Sequence, residues 1–441
     1  MRFFGRDEEL KELKRVQDLS VSNSRFTIVT GRRRVGKTEL IEQAFAGGTM
    51  PYLYFLITNR AEKDLCGILQ EEVERVLGEP LLGRAERFAQ LLEIVMKASQ
   101  KNPLTLVIDE FQELDKINPA IFGEIQGVWD RLHKKSKINL VACGSVNRMM
   151  HKIFFDDSQP LYGRNTGSLR LDPFSTGLLK EIYFAHCPTP ANGDLLALWT
   201  LTGGVARYVE YFMDNGAVTR SQMIRQAISL GSSYVNEGKA ILSEEFGKDY
   251  GIYFSILSSI AAGKTSYAEI RNETGTEVGG QITRLEKAYE LISKVQPFGE
   301  KSATKNCLYR IDDCFFRFWF RFVYKYQHLI EQKMFDELVF IVERDFDVFS
   351  GFALERYFRQ KFIEERRYTK IGGWWDRKGE NEIDLVCENE LSSDLDFYEV
   401  KLDASRISRA ELERKRTVFF EKNPQMRNLA GTCRGLSLAD L

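Results

Sequence analysis

"RFTIVTGRRRVGKTELIEQAFA", residues 25–46, decides the fold. Phe26 to Val29 are an apolar run of strand-forming residues. Gly31 follows, then four residues, then Gly36, Lys37 and Thr38, and Leu40, Ile41 and Phe45 recur at helical spacing. Strand, glycine loop and helix in this order, with this spacing, read as a P-loop. Glycines let the backbone wrap a phosphate, and the free N–H groups at the helix N-terminus point at the anion. Gly31, Arg32, Arg33, Arg34, Val35, Gly36, Lys37, Thr38 and Glu39 are therefore expected around a nucleotide. Lys37 would reach the β- and γ-phosphates, and the Thr38 hydroxyl would hold Mg²⁺. The bland alternative is a chance glycine-rich turn. For Arg32 to Arg34 themselves, solvated loop charge is the simpler reading.

A P-loop enzyme needs an acid for the metal and a group to position water. "KNPLTLVIDEFQEL", residues 101–114, offers both. Leu104 to Ile108 read as a buried strand. It ends in Asp109, placed to act behind Mg²⁺, and Glu110, placed to polarise the attacking water. The alternative is a strand followed by a capping acid. "INLVACGS", residues 138–145, is a further apolar strand ending at Ser145, a candidate γ-phosphate sensor, with Asn147 beyond. In "PLYGRNTGSLRLDPF", residues 160–174, Arg164 is a candidate sensing or finger arginine. A turn serine and a surface ion-pair partner are the plain readings of these two.

Strands alternating with helices imply a parallel sheet with helices on both faces. "FFGRDEEL", "GRRRVGKTEL", "LVIDEFQEL", "CGSV", "LYGR" and "LTGGVARYVE" together resemble the archaeal-type AAA+/STAND ATPases, which also occur in bacteria. The resemblance implies that the opening Gly5-Arg6 segment flanks the adenine and that Arg207 is a sensor candidate. The family's GG-x-P-x-Y segment stands here as Gly203-Gly204-Val205-Ala206-Arg207-Tyr208, with Ala206 in the proline's place.

Residues 176–245 show apolar spacing of three to four with glycine stops, as expected of a helical lid. Residues 246–330 read as three helices and a hairpin with a strand at Lys294 to Gln296, the order of a winged helix. Its third helix offers Gln281, Thr283, Arg284 and Lys287, opposed by Glu286 and Glu290, so DNA binding and a packing role stay open. "FFRFWFRFVYKY", residues 315–326, reads as core.

The tail, residues 335–441, contains "NEIDLVCENELSSDLDFYEVKLDASR", residues 381–406. In a strand, residues two apart share a face, so Glu399 and Lys401 project together. Asp384 lies between Ile383 and Leu385 and faces away from their apolar side. Two carboxylates of this kind hold Mg²⁺ through oxygen, and a lysine can position water and stabilise charge. Glu355, on the helix read over "SGFALERYFRQKFIEE", residues 350–365, is a third carboxylate, and Arg406, Arg409, Arg414, Lys415 and Arg416 follow on a basic helix suited to a phosphate backbone. Glu355, Asp384 and Glu399-x-Lys401 in this order resemble the PD-(D/E)xK nucleases. That resemblance implies Glu355, Asp384 and Glu399 as metal ligands. The alternative is an amphipathic hairpin.

The chain has 441 residues and a net charge of −1, so any nucleic-acid binding must use local patches. Its 7 cysteines form no CxxC pair and its 4 histidines do not cluster, which argues against a disulfide framework or a zinc site. No apolar run approaches membrane-spanning length and no signal peptide is evident, so a cytoplasmic location is expected. The expected fold is α/β: an AAA+ P-loop sheet (residues 1–175), a helical lid, a winged-helix domain and a restriction-endonuclease-like tail. The expected ligands are ATP and Mg²⁺, with DNA or RNA, or a protein, as partner. The expected function is ATP hydrolysis controlling a nuclease-like tail. A regulatory switch with a silent tail and an inert ATP-binding scaffold are the alternatives. Oligomeric state is left open.

Overall fold

The computed structural model describes residues 1–81, 83–145, 148–246, 250–300 and 306–441. They cluster as two compact units, Phe3–Asp172, and Pro173–Leu441 with Met1–Arg2.

The first unit is built on five parallel strands: β1 (Arg25–Gly31), β2 (Tyr52–Leu56), β3 (Leu104–Asp109), β4 (Ile138–Ser145) and β5 (Gly167–Leu171), in the order β2-β3-β4-β1-β5. All six residues of β3 are buried, as a central parallel strand covered on both faces requires. Period two divides the apolar residues between two cores. Phe26, Ile28, Leu106, Ile108, Leu140 and Ala142 face a core shared with the helices Glu62–Leu77, Phe88–Ala98 and Ile121–Leu132. Val29, Val107, Val141 and Cys143 face Leu13 of the helix Asp7–Ser20 and Leu40, Ile41 and Phe45 of the helix Lys37–Phe45. Strand β2 and the helices of residues 62–98 add to what the sequence reading identified.

The second unit opens with five helices, Thr176–His186, Asn192–Thr202, Ala206–Asp214, Arg220–Ala227 and Ser233–Phe246. The third begins at Ala206 with extended Val205 as its N-cap. The proline expected there would occupy the first helical position, where its missing N–H costs nothing, so alanine keeps the same turn. Three more helices, Tyr250–Ala261, Tyr267–Thr274 and Gly279–Lys287, lead to an antiparallel hairpin of β6 (Ile292–Val295) and β7 (Leu308–Ile311). The aromatic stretch is buried at Phe315, Phe316, Phe318, Trp319, Phe320 and Phe322, and winds from α-helix into a π-helical turn at Trp319–Tyr324.

The long helix Phe335–Glu364 spans 30 residues and starts well before the stretch read as helical from sequence. Trp199 Nε1 donates to the Ala353 carbonyl at 3.1 Å, and the Trp199 ring meets Tyr357 at 5.5 Å, which anchors that helix to the helix Asn192–Thr202. Beyond it come β8 (Lys370–Trp375), β9 (Glu382–Asn389), β10 (Asp394–Val400), the helix Arg409–Lys422 and β11 (Cys433–Leu436). The sheet order is β11-β10-β9-β8, antiparallel except for the β10–β11 pair. Trp374, Val386, Phe397, Leu412 and Phe419 form its core on the Arg409–Lys422 side. Among the described residues, no helix is long and apolar enough to cross a membrane.

Candidate functional sites

The carboxyl ends of β1 and β3 create the first site. Gly31 closes β1 where β5 passes close: a Cβ there would lie 2.5 Å from the Leu171 carbonyl oxygen. Gly36 caps the following helix at φ 93°, a conformation that favours glycine, so the first N–H groups of that helix are turned into the loop. Lys37, 9% exposed, donates to the carbonyls of Gly31 at 2.9 Å and Arg32 at 3.0 Å. Burial lowers its pKa.

Asp109 is 6% exposed and fully engaged. Its Oδ2 accepts from Thr38 Oγ1 at 3.2 Å and from the Tyr54 hydroxyl, and its Oδ1 accepts from the Glu110 amide at 2.8 Å. Glu110 itself sits at φ 53°, where a non-glycine residue is uncommon, and its carboxylate accepts from the Gln112 amide. The left-handed turn separates the directions of two consecutive acids. A threonine hydroxyl meeting a carboxylate fits Mg²⁺, which takes one or two carboxylates, directly or through water, beside phosphate oxygens. Cys143 of β4 lies in the same electrostatic environment, its thiol pushed up by burial and by Asp109.

Arg6 connects this loop to the end of the unit. Its guanidinium, with its pKa lowered by burial, donates to the Asp172 carbonyl at 2.7 Å and the Val35 carbonyl at 3.4 Å, and pairs with Glu9 at 3.1 Å. Arg32, Arg33 and Arg34 lie in the loop with partly exposed side chains. Arg164 pairs with Asp130 at 3.3 Å and donates to the Tyr162 carbonyl, as the plain reading had it. Arg207 pairs with Glu210 at 3.1 Å on an exposed helix face. Ser145 ends β4; its side chain and Asn147 lie outside the described residues.

The second site is in the tail. β9 and β10 pair with Leu385 opposite Tyr398, and one step further in that register Asp384 faces Glu399. Lys401 Nζ lies between them, 3.3 Å from Asp384 and 3.6 Å from Glu399. The Asp384 carboxylate also accepts from the Val400 amide at 2.7 Å. Glu399, 6% exposed, meets Lys415 of the helix Arg409–Lys422 at 3.7 Å and accepts from the Ser408 amide at 3.2 Å. Burial lowers the Lys401 pKa, but Asp384 and Glu399 outweigh it and hold the pKa above its ordinary value.

Glu355 reaches this cluster from the long helix. Burial and the neighbouring Asp384 push its carboxyl up to about 8, and the same two causes raise Glu382. The expected three-carboxylate metal set of Glu355, Asp384 and Glu399 is not assembled: no group of three His, Cys, Asp or Glu among the described residues is placed to hold a metal ion. Lys401 fills the space between two of the acids, and the third is a proton-bearing buried carboxyl. Mg²⁺ commonly relies on one or two carboxylates with water and phosphate, so the Asp384–Glu399 pair could serve it only with Lys401 displaced.

Residues 3–212 match the model of an ATPase domain predominantly from Archaea. Residues 319–414 match a family of archaeal and bacterial proteins of unknown function. An uncharacterized protein of Methanocaldococcus jannaschii is 28% identical over 409 residues, covering 90% of this chain and 87% of that protein. A Walker-type ATPase of Pyrococcus abyssi superposes with a TM-score of 0.53 at 20% identity, over 72% of this chain and 96% of that one. That likeness is one of fold. The ORC2 protein of Aeropyrum pernix gives a TM-score of 0.45 at 14% identity, over 76% of this chain and 95% of that one.

Two polar residues of the ATPase domain escaped the sequence reading. Gln112 stands inside the quoted "LVIDEFQEL", two residues after Glu110, and its spacing was the available signal. Tyr54 had none, because only the pairing of Tyr54 with Val107 beside Asp109 makes it a partner.

Proposed function

We propose that the ATPase domain hydrolyses ATP and that its nucleotide state controls a Mg²⁺-dependent nuclease-like site in residues 335–441 that acts on DNA or RNA. One observation carries the hydrolysis: Thr38 and Asp109 meet on one oxygen at the mouth of the P-loop, while Glu110 is turned aside by its own backbone. Lys37, released from the Gly31 and Arg32 carbonyls, reaches the phosphates. Thr38 and Asp109 would hold Mg²⁺, which would neutralise phosphate charge when bound. Glu110 accepts the proton of the attacking water, and Gln112 orients it. Ser145 and Arg207 serve as sensors, residues 176–245 as lid and residues 246–330 as a winged helix.

Arg6 supports the relay. It binds the P-loop at Val35 and the Asp172 carbonyl, the last residue before the second unit. A phosphate that reshapes the loop changes the hold on that residue. In the tail, Asp384, Glu399 and Lys401 support the nuclease reading by convergence, with Lys401 placed to polarise water. The regulatory alternative, a switch with a silent tail, is favoured by Lys415, which neutralises Glu399 from a second side.

Phosphate release and oligonucleotide cleavage, measured on the same preparation with Mg²⁺, test both claims. The proposal expects Lys37→Ala to abolish ATP turnover and Asp384→Ala to abolish cleavage with turnover intact. Turnover without cleavage of any DNA or RNA leaves the regulatory reading. No turnover in the wild type refutes the hydrolase.

A further inference from the structure

The long helix carries a stripe that neither activity has absorbed. Phe352, Glu355, Arg356 and Arg359 stand at i, i+3, i+4 and i+7 and share one face. Strand β7 runs against that face. The Arg310 guanidinium of β7 lies 4.8 Å over the Phe352 ring, and Arg356 donates to the carbonyls of Ile311 at 3.1 Å and Asp312 at 2.5 Å. Arg356 is thereby committed to docking the hairpin, whereas Arg310 and Arg359 have no hydrogen-bond acceptor and no ion-pair partner among the described residues.

An enclosed guanidinium without an acceptor is costly, because its charge loses water and gains nothing in exchange. Burial and the charges of Arg310 and Arg356 lower the pKa of Arg359, and Asp312 is the carboxylate set against them. That carboxylate also accepts from the Ser293 hydroxyl at 2.9 Å. The place sets three guanidinium groups, one of them stacked on a ring, against the carboxylate of Asp312. A phosphate matches it, since its oxygens accept paired N–H groups from the guanidinium fork. Arg310 acts electrostatically on Glu355 and Glu382 as well as on Arg359, so its charge is felt at the acids around Asp384.

We propose that Arg310 and Arg359 form a phosphate cradle, shared between hairpin and long helix, that seats the backbone of a nucleic-acid strand beside the Asp384–Glu399 pair. The proposal rests on the reading that the tail meets nucleic acid, but not on its cutting anything. It makes the hairpin part of the tail's binding surface.

The test uses the full chain with fluorescein-labelled single-stranded DNA and the matching RNA, in EDTA and without ATP, followed by anisotropy across a salt series. Arg310→Gln/Arg359→Gln is expected to weaken binding of the preferred oligonucleotide by about tenfold or more and to flatten the log–log salt slope by about 1.4. Arg131→Gln, at an exposed arginine of the first unit paired with Glu93, measured alongside, keeps the wild-type affinity. Unchanged affinity and slope in the double variant overturn the cradle, as does a wild type that binds neither oligonucleotide at low salt. If the double variant does not fold, phenylglyoxal modification of the wild type replaces it. Protection of the peptides bearing Arg310 and Arg359 by oligonucleotide supports the cradle, and equal labelling with and without oligonucleotide refutes it. Absent cleavage with arginine-dependent binding leaves the cradle standing and removes the nuclease. Cleavage that survives in a double variant of unchanged affinity does the reverse.

Discussion

Asp109 and Asp384 are both strand carboxylates with a lysine in their neighbourhood, and their surroundings differ in kind. Asp109 is held by neutral donors, the hydroxyls of Thr38 and Tyr54 and the amide of Glu110, while Lys37 is occupied with two carbonyls. Asp384 and Glu399 are held by ammonium groups, Lys401 between them and Lys415 behind. The first site keeps its negative charge uncancelled and its lysine available, an arrangement that a cation and an anion can enter together. In the second, charge is already cancelled, so an incoming metal or phosphate must displace an existing ion pair.

The largest expected effect tests whether the two sites are separate. Glu110→Gln should lower ATP turnover by about 10²–10⁴-fold while ATP binding survives, as loss of a proton-accepting group does. Asp384→Asn should leave turnover within twofold. A tenfold fall in Asp384→Asn, read by phosphate release, would break the separation.

The next effect is one of pH. The Glu355 carboxyl is raised from its ordinary 4.5 to about 8. The folded state thus holds this proton more tightly than the unfolded chain. The associated stability is complete below about pH 4.5, falls as pH rises towards 8 and is spent above it. The loss is on the order of a few kcal/mol. Glu355→Gln should flatten the fall in Tm between pH 5 and pH 8.5, and a variant that keeps the wild-type slope assigns the pH dependence elsewhere.

A smaller effect probes the cancelled charge. Glu399→Gln strands Lys415 and removes an anionic acceptor from the Ser408 amide, at a cost of about 2 kcal/mol. Denaturant unfolding measures it, and a neutral or stabilising result would mean that the lysines reach water unaided. Smallest of all is Tyr54→Phe, which removes one hydroxyl from Asp109. A change of about 1 kcal/mol, near fivefold, is expected in the Mg²⁺ concentration that supports half-maximal turnover. No change would show that Thr38 alone positions the carboxylate.

What was legible in sequence was local. The P-loop and Asp109-Glu110 fall in unbroken stretches whose spacing is the chemistry, and Glu399 and Lys401 share a face because strands repeat every two residues. What was illegible depends on docking. Tyr54 becomes a partner of Asp109 only through β2–β3 pairing, and Lys415 meets Glu399 only once its helix lies on the sheet. Arg310 reaches the long helix through the placing of a hairpin some 40 residues earlier in the chain. The long helix itself was read short because Asp336, Glu337, Glu343, Arg344 and Asp345 blur its apolar rhythm at the start.

Strand β1 has a consequence for how this chain comes into being. Both of its neighbours arrive late: Arg25 pairs with Asn139 of β4, and Thr27 with Gly167 of β5. On the ribosome the P-loop strand therefore emerges with two open edges, and keeps one until residue 145 and the other until residue 171 has been made. Distant parallel pairing of this kind is slow and leaves strand edges exposed to other chains. The meander of β8, β9 and β10 needs only its immediate sequence neighbours to close. The half of the protein whose chemistry is most easily read is thus the half that depends most on protection during synthesis.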